Sequence, residues 1–218
     1  MLVFTFDLDD TLFSEKEYIR SGFSKVSEFL VEKFNLKENP FPLMWNIFLE
    51  GERKFVFNKT LERLKIKYSE ELIQKMIKIY REHTPNIKLY PDARFILEKL
   101  HFRRNLALIT DGPLISQKNK VKALKIEKYM NFIVYTEELG KNYSKPHILP
   151  YKKVMEFFKV NGNQCAYIGD NSQKDFEGAK KLGWLTIQIE REEGLYKNIC
   201  KEKAHFKIKS LFELFYFM

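Results

Sequence analysis

Five short apolar, β-rich runs alternate with amphipathic stretches along this chain, and that alternation constrains its fold more than any other feature. The runs cover residues 2–6, 105–110, 132–136, 164–169 and 184–189. Helical spacing of apolar residues lies between them, at 92–102, 116–124, 147–160 and 175–182. Strands separated by single helices predict βαβ units, hence an α/β fold with a parallel sheet and helices on both faces. A last run at 206–208 predicts an edge strand, followed by a short helix from Ser210. With 218 residues, 44% of them hydrophobic, the chain can bury one substantial core and a small second lobe.

The rhythm breaks once. Between residue 13 and about residue 85 no strand of comparable quality occurs. Tyr18, Ile19, Phe23, Val26, Phe29, Leu30 and Phe34 follow helical spacing over 15–34. Further helices are predicted at 43–49 and 61–66, and Ser69 is placed to N-cap one running to about residue 82. The segment 14–85 therefore reads as an all-helical insertion in an α/β domain made of 1–13 and 86–218. Phe48, Phe55 and Phe57 are expected in the insertion's own core.

Net charge is +9, with lysines spread along the chain rather than gathered in a tail. A diffuse positive field favours anionic ligands. Lysines interleave with acids (Lys16-Glu17, Glu32-Lys33, Glu98-Lys99) as on solvated helix faces, and no motif that reads DNA or RNA occurs, so nucleic acid is not the expected partner. No apolar run approaches the roughly 20 residues needed to span a bilayer. Cys165 sits in an apolar run and is expected as a buried thiol, while Cys200 has no disulfide or metal-type spacing. The first strand begins at once, without a secretory pattern, and a cytoplasmic protein is expected. Oligomeric state is not legible.

The chemistry gathers at the strand ends. The first run ends in Asp7-Leu8-Asp9-Asp10-Thr11. In an extended chain Asp7 and Asp9 share a face, roughly 6.5 Å apart. Such like charges resist ionising together, and a cation or a proton-transfer task would make them useful. Ligands of open parallel sheets bind beyond the carboxyl ends of the strands. There the second run offers Thr110-Asp111-Gly112, a hydroxyl and a turn whose N–H groups can meet an anion. Ser144-Lys145-Pro146 follows the third run, and Gly169-Asp170-Asn171 with Asp175 follows the fourth. Each alone is an ordinary turn or helix start, with Asp175 a possible N-cap. Together they are the inventory for holding a divalent cation and a phosphoryl group.

With these residues in this order, the chain resembles the haloacid dehalogenase-like (HAD) hydrolase superfamily over residues 2 to about 189, in its phosphatase branch. The resemblance implies a Rossmann-like core and, for the helical insertion, a cap over the active site. Too few residues separate Thr110 from Lys145 to hold a second, larger cap. By the same resemblance Asp7 is the nucleophile, forming an aspartyl-phosphate, and Asp9 the general acid and base. Mg²⁺ would be held by the side chains of Asp7 and Asp170 and the backbone carbonyl of Asp9. Thr110, the Asp111 N–H and Lys145 would bind phosphate, Asp175 would orient Lys145 or the metal shell, and Thr11 and Asn171 would support the loops. The expected activity is hydrolysis of a small phosphorylated metabolite, such as a sugar phosphate, phosphoglycolate or a nucleotide. Arg20, Arg53 and Lys54 are candidates for reading a second anionic group on it. Haloalkanoate dehalogenation needs neither Mg²⁺ nor the second aspartate, and Asp9 and Asp170 argue against it. A phosphomutase would keep the whole motif set and is the alternative; a basic nucleic-acid-binding or non-catalytic module is the other.

Overall fold

A strand buried on both faces needs apolar or β-branched residues throughout, and residues 3–6 meet that demand. The structure, a computed structural model, describes residues 3–196 and 203–217. Leu2 of the first expected strand and Cys200 lie outside the described residues. In chain order the elements begin with β1 (Val3–Phe6), α1 (Glu15–Phe34), α2 (Phe41–Leu49), α3 (Val56–Arg63) and α4 (Glu70–Glu82). Next come α5 (Pro91–Leu100), β2 (Asn105–Thr110), α6 (Leu114–Leu124), β3 (Phe132–Tyr135) and α7 (Thr136–Leu139). The chain then forms α8 (Leu149–Phe158), β4 (Cys165–Gly169), α9 (Glu177–Lys181), β5 (Leu185–Ile189) and β6 (Phe206–Ile208).

The six strands form one parallel sheet in the order β3-β2-β1-β4-β5-β6. It is flanked by helices, as the alternating pattern predicts. Val3, Ala107, Ile109, Val134, Cys165 and Tyr167 point to one face, where Tyr151 and Val154 of α8 and Ala179 of α9 complete a core with Phe176 and Trp184. The alternate residues Phe4, Phe6, Leu106, Leu108, Ala166 and Ile168 are equally buried on the other face. Phe6 is level with Leu108 of β2 and Ile168 of β4. The residues after these positions therefore leave the sheet at one carboxyl edge, on either side of the strand about which the order reverses.

Several boundaries differ from the expected ones for local reasons. α3 starts at Val56 and ends by residue 64, because Lys65 takes a left-handed φ of 56° and its N–H donates back to the Glu62 carbonyl. Ser69 occupies the N-cap position of α4 but makes no capping bond; its hydroxyl engages Glu71 instead. Asp175 does not cap α9, which begins two residues later with Phe176 at the cap position. β3 stops at Tyr135, and Thr136 opens α7.

Lys16–Asn86 form one compact unit, and Met1–Glu15 with Ile87–Met218 form the other. Within the helical unit Phe23 is the hub, with ring centroids of Phe48, Phe57 and Tyr80 at 6.2, 5.9 and 5.9 Å. Gly22 lets Tyr80 lie against α1, since a Cβ there would come within 2.4 Å of that ring. Phe55, expected in this core, is instead 48% exposed. The reason is the preceding turn: the Glu52 carboxylate accepts the N–H groups of Arg53, Lys54 and Phe55, which sends Phe55 outward beneath the Lys54 ammonium.

Candidate active site

β1 keeps its register through Asp7, whose N–H donates to the Ile168 carbonyl at 2.8 Å. The backbone then turns: Asp10 takes a left-handed φ of 49°, and the Leu12 N–H reaches the Leu8 carbonyl at 3.0 Å. This turn gives the three acids different partners. Asp7 meets Lys145, while Asp9 meets Lys120 and Gln117 of α6. The Asp10 carboxylate accepts the N–H groups of Glu15 at 2.9 Å and Leu195 at 2.8 Å, a loop-fixing role. Thr11 is buried, and its carbonyl accepts Arg191 Nη2 at 2.7 Å. Mutual repulsion of Asp7 and Asp9 is a minor influence. Burial pushes the Asp7 carboxyl up to about 7, with Lys145 pulling down and Asp175 adding to the rise; Asp9 acts on it less than either.

Lys145 is the centre of the buried network. Its Nζ lies 2.5 Å from Asp7 Oδ1, 2.7 Å from Asp175 Oδ1 and 2.8 Å from the Tyr167 hydroxyl. Burial alone would drive its proton off, but Asp175 and Asp7 outweigh burial and hold the ammonium well above its ordinary value. Asp175 Oδ2 accepts the Asn171 N–H at 2.9 Å, so both its oxygens are committed. The Asn171 side chain turns back on its own loop and accepts the Gln173 N–H at 3.0 Å. Asp7, Asp170 and Asp175, all buried, each offer a carboxylate oxygen within 4.8 Å of the others. Burial raises Asp170 well above a normal carboxylate, and Asp175 and Asp7 raise it further. A buried all-oxygen cluster is the donor chemistry of a hard divalent cation.

Thr110 ends β2 with its hydroxyl buried and, among the described residues, without a hydrogen-bond partner, a donor that an oxyanion would satisfy. Asp111, expected for its N–H, is engaged through its side chain. Its carboxylate accepts the Thr136 hydroxyl at 2.7 Å and the Lys145 N–H at 3.2 Å, and Lys174 Nζ lies 3.6 Å away. Burial and nearby Lys145 push the Lys174 ammonium down, yet Asp7, Asp175 and Asp111 prevail and leave it raised.

Lys120, Gln117 and Lys174 were not among the residues the motifs single out. A signal existed for the first two: α6 buries Ser116, Gln117 and Lys120 beside Val121 and Leu124. An inward helical stripe that is half polar marks a face built for something other than packing. Lys174 lies in a turn and carries no such pattern. The charged cap candidates are engaged within the helical unit, where the Arg20 guanidinium lies 4.5 Å from the Trp45 ring centroid and that of Arg53 3.8 Å from Phe48.

Among known proteins, the chain is 27% identical to the glyceraldehyde 3-phosphate phosphatase of Methanocaldococcus jannaschii, over 96% of this chain and 93% of that one. It is 23% identical to the human N-acylneuraminate-9-phosphatase, over 96% and 90% of the two chains. Its fold is similar to that of the magnesium-bound Bacillus subtilis chain YfnB, assigned to the HAD hydrolases, with a TM-score of 0.70, 19% identity, and 99% and 97% of the chains covered. The sequence model of the haloacid dehalogenase-like hydrolases matches residues 4–189. This chain belongs to the haloacid dehalogenase-like hydrolase family.

Proposed function

We propose that this protein is a magnesium-dependent phosphatase that hydrolyses a small phosphorylated metabolite through an aspartyl-phosphate on Asp7. The observation that carries the reading is the set of Asp7 and Asp170 oxygens within 4.8 Å of one another, with Lys145 Nζ 2.5 Å from Asp7. Asp7 and Asp170 side chains and the Asp9 backbone carbonyl would hold Mg²⁺. Bound there, the ion supplies positive charge that offsets the clustered acids and draws in a phosphate dianion.

The chain's own residues account for the remaining steps. Asp7 attacks phosphorus, and its O–P bond forms as the bond to the leaving oxygen breaks. Asp9 gives its proton to that oxygen. As a carboxylate it then takes a proton from water, which attacks phosphorus, breaks the Asp7–phosphorus bond and releases phosphate. Lys145, the buried Thr110 hydroxyl and the Asp111 N–H meet charge on the phosphoryl oxygens. Asp175 anchors Lys145, while Asn171 and Thr11 shape the loops around it. Relatives named for glyceraldehyde 3-phosphate and N-acylneuraminate 9-phosphate support a small substrate, and the helical unit is the part we assign to choosing it.

The test is phosphate release from a panel of phosphorylated metabolites, with and without Mg²⁺. Asp7→Asn is expected to abolish turnover while the circular dichroism spectrum is kept; more than about 5% residual activity refutes the nucleophile assignment. Isomerised substrate in place of free phosphate assigns the protein to phosphomutases instead.

A further inference from the structure

A single helix grips Asp9 by both oxygens. Lys120 Nζ lies 2.7 Å from Oδ1, and Gln117 Nε2 lies 3.1 Å from Oδ2. The two donors stand three residues apart on α6, so one helix face presents both. The Lys120 side chain is only 5% exposed, a depth lysine seldom reaches. Taking an ion pair out of water costs free energy that an apolar pair would not, so packing stability does not explain its presence. Gln117 passes the turn after β2 because residue 112 is glycine. A Cβ there would come within 2.6 Å of Gln117 Nε2, and the φ of +126° favours glycine as well. The same Nε2 donates to the Asp111 carbonyl, which links the Thr110 turn to Asp9.

We infer that Lys120 and Gln117 are positioning residues that fix the plane of the Asp9 carboxylate for proton transfer to the leaving oxygen. The inference rests on the reading of Asp9 as general acid and base. Each carboxylate oxygen has two acceptor sites, so each keeps one for the reacting proton while its donor stays in place. Without these donors the Asp9 side chain is free to rotate, and the transfer loses its preset geometry. Both residues act through Asp9.

The choice of leaving group isolates this step. An alkyl phosphate needs its leaving oxygen protonated, whereas p-nitrophenyl phosphate expels a stabilised phenolate that does not. Lys120→Met is expected to lower kcat/KM on the best alkyl phosphate of the panel about 10²-fold. On p-nitrophenyl phosphate the expected change is under about 3-fold. Equal loss on both substrates, or none on the alkyl phosphate, overturns the inference. Should Lys120→Met fail to fold, Gln117→Leu carries the same comparison, with about 10-fold selectivity expected. Asp9→Asn, measured alongside, separates the two readings. If it keeps alkyl phosphatase activity, the acid–base role of Asp9 fails; if it is inactive while the Lys120 and Gln117 variants are unselective, only the positioning role fails.

Discussion

At Gly169 an ideal Cβ would come 2.4 Å from Asp175 Oδ2 and 3.1 Å from the Tyr167 ring. The missing side chain is what lets Asp175 reach Lys145 from behind β4. Gly169→Ala is therefore expected to displace Asp175, cost about 1–3 kcal/mol of stability and remove most phosphatase activity. A thermal melt and a turnover assay on one preparation check both halves. Asp7 carries a second residue-scale consequence. Its carboxyl ionises near 3.8 when unfolded and, because of burial, near 7 in the fold. The cation-free fold thus holds the proton that the unfolded chain has lost, and its stability falls as pH rises through that window. Mg²⁺ is expected to raise the melting temperature more at pH 8 than at pH 6, since protons compete for Asp7 and Asp170 at the lower pH. Asp7→Asn should shrink that difference; an equal shift at both pH values contradicts the argument.

Among the elements, Asp92 in the first turn of α5 ties together distant parts of the chain. Its Oδ2 accepts Arg191 Nη1 at 2.8 Å, the Ser210 hydroxyl at 3.0 Å and the Leu211 N–H at 2.8 Å. Arg191 in turn reaches the Thr11 carbonyl, so α5, the loop after β1 and the C-terminal turn share one buried charge pair. Burial works to raise the Asp92 carboxyl, but Arg191, Leu211 and Ser210 together hold it below its ordinary value. Its contribution is therefore complete above the unfolded value near 3.8 and is lost as pH falls below it. Asp92→Ala leaves a buried guanidinium uncompensated and is expected to cost about 3–5 kcal/mol, read from urea denaturation at neutral pH. The gap from wild type should narrow as pH drops toward 3, and a constant gap would contradict the assignment. The elements that departed from their expected ends did so through such side-chain commitments. Glu52 turned Phe55 out, and the pull of Lys145 and Asn171 on Asp175 left the start of α9 to Phe176.

For the whole molecule, the interrupted rhythm of strands corresponds to two units, each with its own apolar cluster. Phe23, Phe48, Phe57 and Tyr80 pack together within Lys16–Asn86. A fragment of residues 16–86 is expected to fold alone, giving a helical circular dichroism spectrum and a cooperative melt. A gradual, non-cooperative melt would show that this cluster is too small by itself. The positions of the strands, the parallel sheet and the edge at which the acids emerge were legible in the residues alone. Short, continuous apolar runs alternating with helical spacing mark buried parallel strands, and parallel connections bring every strand end to one side. The place of Lys145 after the third run marked it, with Asp175 as an expected partner, but the pairing of Lys120 with Asp9 was not legible. With a net charge of +9 the lysines look alike along the chain. Lys120 finds Asp9 across 111 residues, so only the folded distances could tell it apart from Lys118 or Lys122. Local pattern dictates local conformation, but a charge pair is decided by the space between two side chains, and that space exists only once the sheet has formed.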